Sequence, residues 1–126
     1  GWMKGAINPM SAMQDWETYR EAMLTRMTEF AGYSPDVSRG FGKMSGSAQQ
    51  TGHLTSKVHE LISLAVAVTT RCDGCISVHT KKALEQGASR EEIAEALGVA
   101  ITMNAGAAFT YTARVFEAID QETNED

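Results

Sequence analysis

Along the whole chain, apolar and polar residues recur at helical spacing, and no stretch alternates convincingly with period two. Ser11 to Phe30 carries Met13, Trp16, Met23, Leu24, Met27 and Phe30 as a loose apolar stripe, with Gly32 after it. A short helix is expected over Pro35 to about Lys43, because proline is tolerated in a first turn. "GKMSGSAQQTG" reads as a connector. Thr55 is the predicted N-cap of the next helix, "SKVHELISLAVAVTT". From Leu61 to Val68 only Ser63 is polar, so this helix should be covered on nearly every face, within the protein or by another subunit.

A further helix is expected to start near Cys72 and to end at Gly87, a suitable left-handed C-cap. Ser89 followed by Glu92 forms a capping box that opens the last helical region. There Ile93, Ala96, Leu97, Ala100, Ile101, Asn104, Ala105 and Ala108 repeat at helical spacing. Asn104 to Gly106 is the expected place for a break or kink, and the small residues around Gly106 would let another helix approach closely. The chain therefore reads as all-α, with about five to six helices. Residues 1–10 are taken as a flexible N-terminus, with Gly1 and Trp2 before Met3 as an added remnant. Residues 11–120 make a single helical domain, and 121–126 a polar, frayed tail.

Composition narrows the class. The 126 residues are 43% hydrophobic and 21% charged, which suits one ordinary globular domain with a real core. The formal net charge of −5 gives no basic footprint for nucleic acid or an anionic membrane. No uninterrupted apolar run approaches 18 residues, so no membrane span is expected. The N-terminus lacks the order of a secretory signal, and a cytoplasmic location is the default expectation. In that setting clustered cysteines point to redox or metal chemistry more than to a structural staple.

The chain has only two cysteines, and both fall in "RCDGCISVHTKK", with a histidine four residues after the second. Cys75 and His79 share a helical face, while Cys72 stands at or just before the helix start. Unpaired backbone N–H groups there favour thiolate. His79 and Arg71 would help, and Asp73 would oppose. The expected net effect is a cysteine pKa below the ordinary value of about 8.5. Two thiols at this spacing can also close a small disulfide ring. Other readings remain open: a pair of inert buried cysteines, or a zinc site on Cys72, Cys75 and His79, for which a fourth ligand is missing. No metal or other cofactor is expected.

Glu60 heads an otherwise apolar helix. It is either a solvent-facing residue near a helix start or a part-buried carboxylate that orients His79 and accepts its proton. His53 and His59 are expected in surface or capping roles. The seven methionines are read as core filling.

"LTSKVHELISLAVAVTTRCDGCISVHTKKALEQGASREEIAEAL" resembles the core of the carboxymuconolactone decarboxylase and alkylhydroperoxidase D superfamily, over roughly residues 54–119. The resemblance rests on Glu-Leu-Ile, the Cys-x-x-Cys twelve residues after that Glu, His79, and the "GASREEI" cap. It implies an all-helical homo-oligomer, commonly a trimer or hexamer, and the alkylhydroperoxidase branch because the cysteine pair is present. By position it implies Cys75 as the peroxide-attacking thiol, Cys72 as the resolving thiol, and His79 with Glu60 as the proton relay. The implied substrate is a hydroperoxide or similar small molecule, and the implied reductant a dithiol protein or lipoyl-type partner. One departure stands out: alkylhydroperoxidase D has histidine directly before the second cysteine, where this chain has Gly74.

Twelve residues of unbroken helix would put Glu60 about 18 Å from Cys72. Glu60 and His79 are therefore expected to meet by a fold-back of the next helix, through a bridging water. Two alternatives stand beside the peroxidase: a lactone or acid decarboxylase using His79 and Glu60, and a non-catalytic redox-sensing oligomer.

Overall fold

A computed structural model describes residues 12–123. Among them lie five α-helices and no strand: α1 (Trp16–Tyr33), α2 (Pro35–Ser47), α3 (Ser56–Thr70), α4 (Asp73–Glu85) and α5 (Arg90–Thr123), with a 3₁₀ turn at Ala48–Thr51. The all-α expectation holds. Residues 1–11 and 124–126, with the whole of the expected flexible N-terminus and half of the polar tail, lie outside the described residues.

The helix boundaries follow local chemistry. α1 starts later than the apolar stripe suggests, because the Asp15 carboxylate accepts from Thr18 N–H at 3.0 Å and caps it there. Met13 thus precedes the helix and is exposed. α2 runs past Lys43 into the expected connector, and Gly52 in the left-handed region (φ 73°) ends the 3₁₀ turn behind it. Thr55 caps α3 through Val58 N–H at 3.2 Å. Ser89 and Glu92 complete the capping box reciprocally, at 2.9 and 3.0 Å.

α5 overturns one expectation. It passes through Asn104–Gly106 as one 34-residue helix. The Asn104 amide donates to Ala100 O at 2.7 Å and to Thr69 Oγ1 at 2.9 Å, so its polar group is satisfied without opening the backbone. α5 is also largely apolar. Among the described residues it alone is long and apolar enough, by length and composition, to cross a membrane. Scattered threonines and one asparagine keep its apolar stretch from being an uninterrupted run. Residues 121–123, assigned to a frayed tail, are its last helical residues.

The core is small. Leu64, Ala83 and Ala88 form its buried centre, with Leu61, Ile93 and Leu97 packed against them. α3 is the hub, packing on α4 and α5, while α1 packs on α2 and α4. Lys57 ties α3 to the start of α5 through Glu92 at 2.8 Å. Within the chain α3 is buried on one face only, at Glu60, Leu64 and Ala67, with Ile62 and Val66 about half exposed.

Candidate active site

The chain reverses between α3 and α4 in two residues. Arg71 takes a left-handed conformation (φ 54°), and Cys72 N–H donates back to Ala67 O at 3.0 Å. Cys72 is then the N-cap of α4, and its sulfur accepts from Cys75 N–H at 3.2 Å. A thiol thus fills the capping role usually taken by a serine or aspartate oxygen. The two sulfurs lie 2.7 Å apart, and both cysteines are free.

That arrangement separates the two thiols electrically. The Cys72 pKa is lowered, first by the Cys75 thiol donating to it and then by the Cys75 backbone N–H, with the charge of Asp73 opposing. The Cys75 pKa is raised, first by its hydrogen bond to Cys72, then by burial and by the neighbouring charge. The expected depression therefore belongs to Cys72 rather than to Cys75. The N-cap position adds to this, because Cys72 faces the N–H groups of the helix start.

The fold-back brings Glu60 and His79 together. Glu60 is almost fully buried, at 4% exposure, and its Oε2 lies 2.6 Å from His79 Nδ1. The contact is direct, so the expected bridging water is not needed. A carboxylate can only accept here, so Nδ1 carries the proton and Nε2 is left as the basic nitrogen. Glu60 is no solvent-facing residue, despite its place near a helix start. Among the described residues, the hydrogen bonds of Cys75 go to Cys72 and that of His79 goes to Glu60, so no direct bond joins the thiols to the imidazole.

Beside the Glu60–His79 pair opens a cleft of about 460 Å³, walled by Gln49, His53, His59 and Lys82 among others. The cysteines do not line it. His53 and His59, expected in surface or capping roles, line this space together with Glu60 and His79. Sequence spacing carries no sign of this, because the connector that holds His53 reaches α3 and α4 only through the tertiary fold. Among the described residues no group of three or more His, Cys, Asp or Glu side chains is arranged to hold a metal ion.

Fold and site together define a helical protein with a dithiol at one helix start and, one turn along, a part-exposed imidazole bonded to a buried carboxylate. Residues 35–118 match the carboxymuconolactone decarboxylase family, and the chain belongs to that family. A Haemophilus influenzae protein of uncharacterised function is 41% identical over 104 residues, which cover 82% of this chain and 92% of that protein. Two crystal structures are similar. One, of an apo carboxymuconolactone decarboxylase family protein from Legionella pneumophila, is 32% identical, with a TM-score of 0.67 over 84% of this chain and 95% of that one. The other, of a protein from Methanobacterium thermoautotrophicum, is 36% identical, with a TM-score of 0.64 over 69% of this chain and 98% of that one.

Proposed function

We propose that the protein is a cysteine-dependent peroxidase and thiol–disulfide oxidoreductase of the alkylhydroperoxidase type. The observation that carries this reading is the Cys72–Cys75 sulfur pair, 2.7 Å apart at the start of α4. A disulfide bond is about 2.04 Å long, so closure needs a movement of less than one ångström. Cys75 is the thiol that attacks peroxide, because His79 stands one turn away on its face of α4. His79 Nε2 takes the Cys75 proton, with Glu60 holding the ring and supporting the imidazolium. The thiolate attacks the terminal peroxide oxygen, the O–O bond breaks, and the proton returns to the departing alkoxide as an alcohol. Cys75 is left as a sulfenic acid. The Cys72 sulfur then attacks it, releasing water and forming the disulfide. A dithiol protein or lipoyl-type dithiol returns two electrons and two protons. A reducing compartment such as the cytoplasm fits that cycle.

Hydroperoxide consumption with a dithiol donor, lost in Cys75→Ser, is the test. A rate equal in wild type and variant would remove the thiols from the chemistry.

One observation favours a second reading. The Glu60–His79 dyad faces a cleft that the cysteines do not line, as acid–base chemistry on a lactone or carboxylic acid would require. Turnover of a carboxylated lactone by a Cys72→Ser/Cys75→Ser variant would support that reading over the first.

We also propose that the working form is a homo-oligomer, a trimer or hexamer, since the protomer leaves large apolar faces of α1, α2 and α5 uncovered.

A further inference from the structure

Among the described residues, Arg71 alone has a positive φ without being glycine, at 54°. Glycine adopts that conformation freely, whereas the Cβ of an arginine crowds the following carbonyl. An arginine held there implies a use for its side chain. The dithiol is not that use. The groups that shift the Cys72 thiol are Cys75, Gly74 and Asp73, although Arg71 is its chain neighbour. Among the described residues, arginine side-chain hydrogen bonds are made by Arg20, Arg26 and Arg39, and Arg71 makes none. Arg71 does line a cleft of about 340 Å³ between α3 and α5, with Val68, Thr69, Leu97, Ile101 and Asn104.

Side-chain donors in that cleft are few. The Asn104 amide already donates to Ala100 O and to Thr69 Oγ1. The Thr69 hydroxyl donates to Ala65 O at 2.9 Å. The N–H groups of the Arg71 guanidinium remain, and no acidic side chain lines the cleft to neutralise them. The other walls, Val68, Leu97 and Ile101, are apolar. We propose that this cleft binds a small amphiphilic monocarboxylate, with Arg71 anchoring the carboxylate and Val68, Leu97 and Ile101 covering an apolar tail. A guanidinium presents a planar fork that matches the two carboxylate oxygens. A single cation suits a single negative charge, whereas a phosphate dianion would leave charge unmatched against apolar walls. The volume is that of a small-molecule site. Binding there needs neither thiol, so the inference stands apart from the peroxidase reading.

The test is calorimetric titration of the full chain with octanoate, and with octanamide as its uncharged analogue. Octanoate should bind the wild type, and octanamide should bind about 10- to 100-fold more weakly, the worth of a charge-assisted hydrogen-bond pair. Arg71→Gly should weaken octanoate by the same factor and leave octanamide unchanged. Arg71→Lys should lose only part of the affinity, since it keeps the charge without the fork. Ile101→Asp, at an exposed position, should also abolish octanoate binding by setting a carboxylate in the cleft. Melting curves separate an anchoring role from a structural one: Arg71→Gly should melt no lower than wild type, because glycine suits the left-handed backbone. Octanoate that fails to bind the wild type, or that binds Arg71→Gly undiminished, would overturn the inference. So would an Arg71→Gly chain that melts lower or sediments at a smaller mass, since Arg71 would then serve the fold or a second copy of the chain.

Discussion

At the scale of single residues, the two cysteines differ because one caps a helix and the other lies inside it. The Cys72 thiolate is held by a backbone N–H and by the Cys75 thiol, so its thiolate fraction rises at a pH below the ordinary thiol range of about 8.5. Iodoacetamide near neutral pH should therefore label Cys72 before Cys75, as peptide mass spectrometry would read. In Cys72→Ser the hydrogen bond and charge that raise Cys75 disappear. The alkylation midpoint of Cys75 should then move down in pH, and an unmoved midpoint would mean that the sulfurs do not share a proton. Glu60→Gln addresses the relay. The amide oxygen can still accept from His79 Nδ1–H, so the fold should hold, but the amide gives an imidazolium no charge to lean on. Peroxide-driven oxidation of Cys75 should slow by about 10²–10⁴-fold near neutral pH. Higher pH should partly restore it, because thiolate then forms without a base. A rate unchanged from pH 6 to 9 would make Glu60 a structural residue only.

At the scale of elements, what could be read ahead was whatever is local. Thr55, the Ser89–Glu92 box and Gly87 act within one turn of their own position, and each ends or begins a helix where its spacing says. Ser89→Ala should accordingly cost about 1 kcal/mol in chemical denaturation. Glu92 contributes a pH dependence of known sign. Its pKa is lowered, first by Lys57 and then by the Ser89 N–H. Its share of stability is therefore present above the ordinary glutamate value and is lost as pH falls through the lowered one. The rest depended on tertiary placement. Cys72, Cys75 and His79 could be put on one helix start from spacing alone, whereas the direct Glu60–His79 bond needed the two-residue reversal at Arg71. The continuity of α5 needed Thr69, on another helix, to accept from Asn104. The cleft wall at His53 and His59 needed the connector to fold across α3 and α4, which no periodicity encodes.

At the scale of the whole molecule, the protomer is short of core. Phe109, Tyr111 and Phe116 on α5 are 79%, 65% and 68% exposed, and Phe30, Tyr33 and Phe41 near the α1–α2 corner are also open. Soluble monomers seldom expose apolar surface on this scale. Another copy of the chain is the proposed cover, and the open small-residue stretch at Gly106, with nothing within 4 Å, suits a close helix crossing. Sedimentation equilibrium at micromolar concentration should give a multiple of the 13.6 kDa chain mass. A stable monomer would contradict the proposed assembly. Phe109→Glu/Phe116→Glu should weaken association while leaving the far-ultraviolet helical signal largely in place.

The central claim is that Cys75, activated through His79 and Glu60, attacks peroxide and that Cys72 resolves the product. Trapping with dimedone after one equivalent of hydroperoxide tests it most directly, with Cys72→Ser and Cys75→Ser compared side by side. The account predicts rapid, stoichiometric sulfenic acid on Cys75 in Cys72→Ser, and only the slow rate of an ordinary thiol in Cys75→Ser. Rapid labelling of Cys72 with Cys75 dispensable, or equally slow labelling of both, would contradict it.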